Sequence, residues 1–501
     1  MKLRYYILFA VSALMLIFSI VTPLGTDVTV SFGAAIQADY LGKFPYNVYD
    51  SWNLRGIGYK YLIYLIYRIG LMFSTPGSPS FEIWAKMIYY AIFLPISYLS
   101  FKLLKPSFVK LKIYWVDAFI IFLISVLSFS WNFPMQPEDA SVYLTVAMTA
   151  FALSSHKRLN YLSGVFIPLL LSLKLVTIAF AFFPTMILLS TLKTEKELIK
   201  RYIISCIGFL IFTVLFYLFV IPLEIKDTYK ATLFQSSFHL NFKSISSLGL
   251  WFIKSFSDSA YLFAGTICGL ILIYRSRSNF RLFFFMVLLF AVPAFEVLVQ
   301  NRFSVYQYLI FFPASMISIF VLLSENKDPK SYLRNFGIVA GSITVLWVLC
   351  VVLDLKIPVK DSKSSNSWYI NTIFNPQRNA FNEMNIKYHL SEQKEMLYLT
   401  GGYPNFFIPN KSYLRYFYPL PLKRVTENPK LKETSLFKEV LAQSLTYKGD
   451  YILLQPNWFD LNNTLPLKEK IQQEYELVDQ KSFPDYSEAL LDLYKRKNEP
   501  K

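Results

Sequence analysis

Cysteine is nearly missing from this sequence. Only 3 occur in 501 residues, and Cys206, Cys268 and Cys350 all fall inside apolar runs. That placement excludes a disulfide framework and a cysteine metal set, and reads as small buried hydrophobes. Nucleotide signatures are missing too. The chain has no P-loop, no dinucleotide glycine fingerprint and no kinase-like set, so nothing in it supports a soluble-nucleotide site. It has no repeat and no low-complexity tract. Acidic residues are the scarcer charge, with 33 Asp and Glu against 50 Lys and Arg, a formal net charge of +17.

Apolar residues are plentiful. They make up 54% of the chain, 18% of it aromatic, and mean hydropathy is +0.39. A bilayer core about 30 Å thick takes about 20 apolar residues as a helix. Lipid offers no partner to a bare amide, so runs of that length must be helical. Spans are expected at 5–23, 83–104, 115–132, 139–154, 160–174, 175–192, 202–222, 259–274, 282–299, 306–323 and 336–354. The first reads as a retained span rather than a cleaved leader, since no small-x-small site ends it. The expected class is a membrane all-α fold of about eleven transmembrane helices.

The charge is local, which turns the reading from nucleic acid to membrane. Lys and Arg gather in alternate loops: Lys2 and Arg4, Lys102 to Lys112, His156 to Arg158, Lys193 to Arg201, Arg275 to Arg281, and Lys327 to Arg334. These loops are cytoplasmic by the positive-inside rule, which predicts a multi-pass cell-membrane protein with a cytoplasmic N-terminus. The other loops and everything after 355 are then extracytoplasmic. The pattern holds only if residues 59–73, apolar but short and rich in Tyr, lie on the outer surface instead of crossing. Val28 to Leu41 is a second candidate interfacial helix.

From about Lys356 the long apolar runs stop. Strands are expected at Met396–Thr400, Tyr451–Leu454, Tyr475–Val478 and Ala489–Tyr494, with helices at Lys432–Leu445 and Leu467–Glu474. The predicted domains are therefore a transmembrane domain, 1–355, and a small extracytoplasmic α/β domain, 356–501.

Three groups of residues offer chemistry. Asp27 follows the first span, where a carboxylate either caps a helix starting near Val28 or takes a proton from an acceptor hydroxyl. Glu138 and Asp139 open the fourth span, either as helix-terminal acids or as a base and ligands for a divalent metal cation. Lys174 stands alone between two apolar runs, and a charge at that depth costs roughly 2.5–3.5 kcal/mol unless it pairs or snorkels. Arg55, Lys60 and Arg302 join it as candidate anion-binding groups; headgroup contact is the plainer account of the first two. His239 is a lone candidate metal ligand, and Asn410 and Asn462 open glycosylation sequons.

These residues also carry a resemblance. Gly25-Thr-Asp27, Leu41-Gly42, Pro45-Tyr46, Gly56 and Tyr59-Lys-Tyr-Leu62 resemble the first outer loop of GT-C-type membrane glycosyltransferases. That superfamily includes the protein O-mannosyltransferases and the aminoarabinose transferases of lipid A. Pro137-Glu138-Asp139, Gly164 through Lys174, and Arg302-Phe-Ser-Val-Tyr306-Gln307-Tyr308 match its diffuse motifs, with Gln307 where His is usual. Arg55-Gly-Ile-Gly58 replaces a usual Pro-Pro-Leu. Gly402-Tyr-Pro-Asn405 and Tyr413 to Pro419 are similar to the outer domain of bacterial members.

The resemblance implies a polyprenyl-phosphate-linked sugar as donor and a lipid, glycan or protein hydroxyl as acceptor. It implies Asp27 as base, with Glu138 and Asp139 in support or on a metal. The anion-binding groups would take the donor phosphate, and Asp39, Tyr46, Tyr306 and Gln307 would contact substrate. Membrane lipid is the other expected partner, and nucleic acid is not expected. A transporter or flippase of lipid-linked glycans is the main alternative, but it would favour internal repeats and midplane charges over charges gathered at one face. A polysaccharide polymerase or ligase would need its large outer loop late in the chain. A receptor or assembly factor would leave the first loop tolerant of change.

Overall fold

The structure, a computed structural model, describes residues 2–22, 24–42, 56–130, 134–174, 177, 180–181, 183–184, 196–219, 260–300, 309–325, 328–356, 376–414, 419–425, 429–456, 458–483 and 486–497. The helices are α1 (Lys2–Val21), α2 (Thr26–Leu41), α3 (Ile57–Gly70), α4 (Pro79–Leu103), α5 (Lys105–Lys110), α6 (Trp115–Ser130) and α7 (Pro137–Ala152). Next come α8 (Lys157–Leu162), α9 (Phe166–Leu173), α10 (Lys196–Phe219), α11 (Ala260–Arg275), α12 (Phe280–Gln300), α13 (Phe312–Ser324) and α14 (Pro329–Lys356). The C-terminal part adds α15 (Pro376–Tyr388), α16 (Pro404–Phe407), α17 (Leu420–Arg424), α18 (Ser435–Leu445) and α19 (Leu465–Glu474), with four strands.

The chain divides into two compact units, and one boundary between them falls at 358/359. The first unit is Met1–Thr22, Lys86–Val220 and Asn241–Pro358. The second joins Pro23–Ala85 and Ile221–Leu240 to Val359–Lys501, so the first long loop belongs with the C-terminal segment. The cut falls within α4, after Ala85.

In the first unit, helices at Leu3–Val21 and Lys196–Phe219 are long and apolar enough to cross a membrane, and so are those at Pro79–Leu103 and Pro329–Leu349. Their exposed faces are apolar: Ile203, Ile207, Phe212 and Leu215 of α10 all stand outward. In water that patch would be unsupportable, whereas in lipid it is the ordinary state. Among the described residues, four of the eleven expected spans meet this test, and Trp115–Phe129, Ala264–Arg275, Phe283–Phe295 and Leu309–Ser324 are shorter apolar helices. At 1.5 Å per residue, a 16-residue helix such as α6 reaches about 24 Å, short of a full hydrocarbon core. The run expected at 160–174 is α8, a 3-10 turn at Ser163–Val165 and α9. Most of the run expected at 175–192 lies outside the described residues.

Small residues let these helices close up. A Cβ added at Gly265 of α11 would collide with Ser315 of α13, and one at Gly269 would strike the Phe290 ring. Without a hydrophobic drive between helices in lipid, such close backbone approach is a main source of packing energy. Gly164 does the same, its amide donating to Ser205 Oγ of α10 at 2.7 Å. Polar ties add to this. Asp117 of α6, fully buried, accepts from Arg4 of α1 at 3.1 Å and from the Tyr332 hydroxyl of α14 at 3.0 Å.

The second unit contains one four-stranded sheet, ordered β1 (Leu397–Leu399), β2 (Tyr451–Leu454), β4 (Tyr486–Arg496), β3 (Tyr475–Phe483). β1 and β2 are parallel and wholly buried, and their unbroken apolar sequences suit a strand covered on both faces. β4 pairs antiparallel with both β2 and β3. Thr434 caps α18 by accepting from the Phe437 amide at 3.3 Å, and Leu436, Phe437 and Val440 pack into the core with Leu397, Ile452 and Leu467. All four expected strands are present, the last two longer than expected; α18 and α19 match the expected helices within a turn. α15 was not anticipated; its sequence is mostly polar, and its buried stripe among the described side chains is only Ala380, Phe381 and Met384.

Candidate functional site

Asp27 sits at the second position of α2. Gly25, in an extended conformation, is the cap residue and offers no side chain, so Asp27 is not the helix cap. Asp27 is half-buried, while every residue from Val28 to Ala38 is buried. A helix lying on a lipid surface would keep one face outward, and over that stretch α2 keeps none, unlike the interfacial helix expected from Val28 to Leu41.

Within the second unit α2 is held at several points. Ahead of it, the Leu24 amide donates to Glu82 Oε2 at 2.8 Å. Phe32 packs edge-on against Phe81, with ring centroids 5.5 Å apart, and lies 5.6 Å from the Phe406 ring. Gln37, 1% exposed, donates to Asn405 Oδ1 at 3.0 Å and to the Asn410 carbonyl at 2.6 Å, and accepts from the Ser412 amide at 2.7 Å. Tyr40 donates to the Pro409 carbonyl at 3.1 Å. Gly42, left-handed at φ 59°, ends the helix.

Asp39 accepts from Tyr64 at 2.9 Å and from Arg68 at 2.6 Å, tying α2 to α3. Burial, then Asp39, raises the Tyr64 phenol above its ordinary range; the Asp39 bond raises the Arg68 guanidinium. Lys60 is buried on the same face of α3 as Ile63 and Tyr67, with Tyr61, Leu65 and Arg68 outward. That two-faced helix is the kind expected at 59–73.

Glu138 and Asp139 belong to the first unit and separate into different environments. Pro137 opens α7 and Gln136 precedes it in an extended conformation. Asp139, fully buried, accepts from the Tyr89 hydroxyl at 2.8 Å and reaches back to the Met135 amide at 3.2 Å. Met135 is left-handed, at φ 66°, a conformation a non-glycine residue keeps only when its surroundings fix it. Asp139 is therefore part of what holds the turn into α7. Glu138 Oε1 pairs with Lys174 Nζ at 2.5 Å, with both side chains largely buried. Lys174 closes α9 in an extended conformation. Its pairing answers the cost of a lone ammonium between apolar runs, since buried charges persist when paired.

The two carboxylates do not fit a divalent cation as they stand. One faces an ammonium, and the other accepts from a phenol and an amide. Among the described residues no three His, Cys, Asp or Glu side chains gather where they could hold a metal. Tyr46, Arg55, His239, Arg302, Tyr306 and Gln307 lie outside the described residues.

Several buried polar groups escaped the sequence reading. Lys86, fully buried on α4, is a charge inside an expected span, the same signal that picked out Lys174. Tyr89, three residues on and thus on the same helix face, carries the bond to Asp139. Glu82 and Gln37 gave no local signal, because their partners are distant in sequence. Asn410 opens a sequon of the kind that recurs by chance. It is 1% exposed, its amide donates to the Leu390 carbonyl at 2.6 Å, and its carbonyl accepts from the Lys411 amide at 2.6 Å.

No protein-family model matches this chain, and no curated protein matches it. Among solved structures, the single-particle cryo-EM structure of the arabinofuranosyltransferase AftD from Mycobacteria is similar, with a TM-score of 0.47 and 12% sequence identity. The match covers 98% of this chain and 40% of that one, so the chain spans less than half the length of that structure. A likeness this loose assigns no activity here.

Proposed function

We propose that this chain is a membrane glycosyltransferase that moves a sugar from a polyprenyl-phosphate donor to an acceptor hydroxyl on the extracytoplasmic face. The observation that carries this reading is the position of Asp27. The residue that the sequence resemblance makes the base is a half-buried acid on the first turn of a helix that is buried from Val28 to Ala38. A general base needs that combination of fixed backbone and access.

In this reading Asp27 takes the proton of the acceptor hydroxyl as its oxygen attacks the anomeric carbon. The bond from that carbon to the phosphate oxygen breaks, and the polyprenyl phosphate leaves with the electron pair. Direct displacement inverts the anomeric centre. Arg55, Lys60, Lys174 and Arg302 are assigned to the phosphate, where a cation stabilises charge that grows on the leaving oxygen. Asp39, Tyr46, Tyr306 and Gln307 are assigned to substrate contact. Glu138 and Asp139 are assigned to support, and no step passes through a metal.

The test is direct. Wild-type protein in lipid nanodiscs should transfer sugar from a polyprenyl-phosphate donor, and mass spectrometry of its co-purifying lipids should find such a donor. Asp27→Asn should insert normally and lose at least about 100-fold in transfer rate, the lower range for removing a positioned base. Undiminished transfer by that variant would remove Asp27 from the mechanism.

A further inference from the structure

The backbone around Asp27 is held from both sides by residues far from it in sequence. Upstream, the buried Leu24 amide, three residues before Asp27, donates to the Glu82 carboxylate at 2.8 Å. Glu82 is itself 3% exposed on the first turns of α4, a rigid 25-residue helix. A buried amide left without its acceptor costs about 1–3 kcal/mol, so this bond fixes where the chain enters α2. At Asp27, the Ser31 hydroxyl donates to its carbonyl at 2.9 Å, and the Val28 and Thr29 amides both bond back to the Gly25 carbonyl. Downstream, Gln37 satisfies both ends of its amide on Asn405, Asn410 and Ser412. Phe32 between Phe81 and Phe406 blocks rotation of the helix about its axis.

We infer that Glu82 is a positioning residue for Asp27, acting through the Leu24 amide, with Gln37 as the second fixed point of the same helix. The inference rests on the proposed reading of Asp27 as base and deepens it. A base must be held within about 0.5 Å of its productive position. Asp27 is on the second residue of its helix, where fraying is greatest, so the last hydrogen bond before the helix decides how well the carboxylate is aimed.

The experiment uses the full chain in nanodiscs, with hydrogen–deuterium exchange over residues 24–28 and transfer kinetics measured on the same samples. Glu82→Ala is expected to speed exchange over that segment by about tenfold or more, as expected when a buried amide loses its acceptor. It should lower kcat by a similar factor with the donor KM nearly unchanged. Glu82→Gln keeps a carbonyl acceptor for the Leu24 amide and should stay within about twofold of wild type in both readouts, because the geometry is kept. If Glu82→Ala fails to insert, Glu82→Asp, one methylene short of the amide, is read in its place with the same expectation. Wild-type exchange in these variants would overturn the positioning role. So would equal impairment of Glu82→Gln and Glu82→Ala, since charge rather than the backbone bond would then matter. If exchange rises as expected while Asp27→Asn still transfers at the wild-type rate, the base assignment falls and the anchoring of the Asp27 turn by Glu82 stands.

Discussion

At the scale of single residues, adjacent carboxylates take different parts. Asp139 is bound into the α7 turn by Met135 and Tyr89, while Glu138 faces Lys174. The sequence showed two acids at a helix start and a stranded lysine, and the pairing of Lys174 with one of them follows the rule that buried charges find partners. It did not show which acid, because the choice depends on the direction in which each side chain leaves the first turn. Asp492 makes the case in the sheet domain. Burial raises its carboxyl above the ordinary 3.8, partly offset by the Gln480 amide that donates to it at 2.7 Å. A raised pKa means that the folded state holds the proton more tightly. Its contribution is therefore full below pH 3.8 and lost as pH rises through the folded value. Asp492→Asn keeps the oxygen that accepts from Gln480 and removes the buried charge. Thermal unfolding should show it modestly more stable than wild type at pH 7, with the gap narrowing towards pH 4 or below; an equal gap at every pH would contradict this account.

At the scale of elements, apolar length predicted α1 and α4 within four residues at each end and α10 and α14 within seven, because lipid leaves a long apolar run one option. It overstated α6 by two residues and set α7 two residues too late, since composition does not reveal where a helix is capped and stopped. Asn160 illustrates the stop: its side chain donates to the carbonyls of Phe151, Ala152 and Ser154, closing the end of α7. The approach of α11 to α13 was equally hidden, as Gly265 and Ser315 are far apart in sequence and unremarkable alone. Gly265→Leu should force those helices apart and cost about 1–3 kcal/mol or more, as overpacked cores do. A fall in the midpoint of thermal unfolding in detergent, with Gly208→Leu as the control, measures it. A Cβ at Gly208 meets nothing within 4 Å, so that change should be nearly silent.

At the scale of the whole chain, the composition change near residue 356 was legible but its meaning was not. The C-terminal segment reads as a domain of its own, yet it shares a unit with Pro23–Ala85. No local pattern announces that union, because it is made by Gln37, Tyr40 and Phe32 reaching Asn405 to Ser412 and Phe406. A chain ended at Pro358 would leave the Gln37 amide buried without partners and Phe32 without Phe406. Its α2 segment should become open to limited proteolysis over residues 24–42 while α1 and α10 remain inserted. Protection equal to that of the full chain would show that α2 folds without its distant partners.

The distances along the chain carry one more consequence. The three hydrogen bonds of Gln37 join residues 368, 373 and 375 positions apart. A ribosome adds about 5–20 residues per second, so α2 emerges roughly 20–70 s before the segment that completes it. During that interval Gln37 lacks its three partners and Phe32 has Phe81 but not yet Phe406. The window belongs to synthesis rather than to the finished protein. It closes when the last hundred residues arrive and the early helix is clasped.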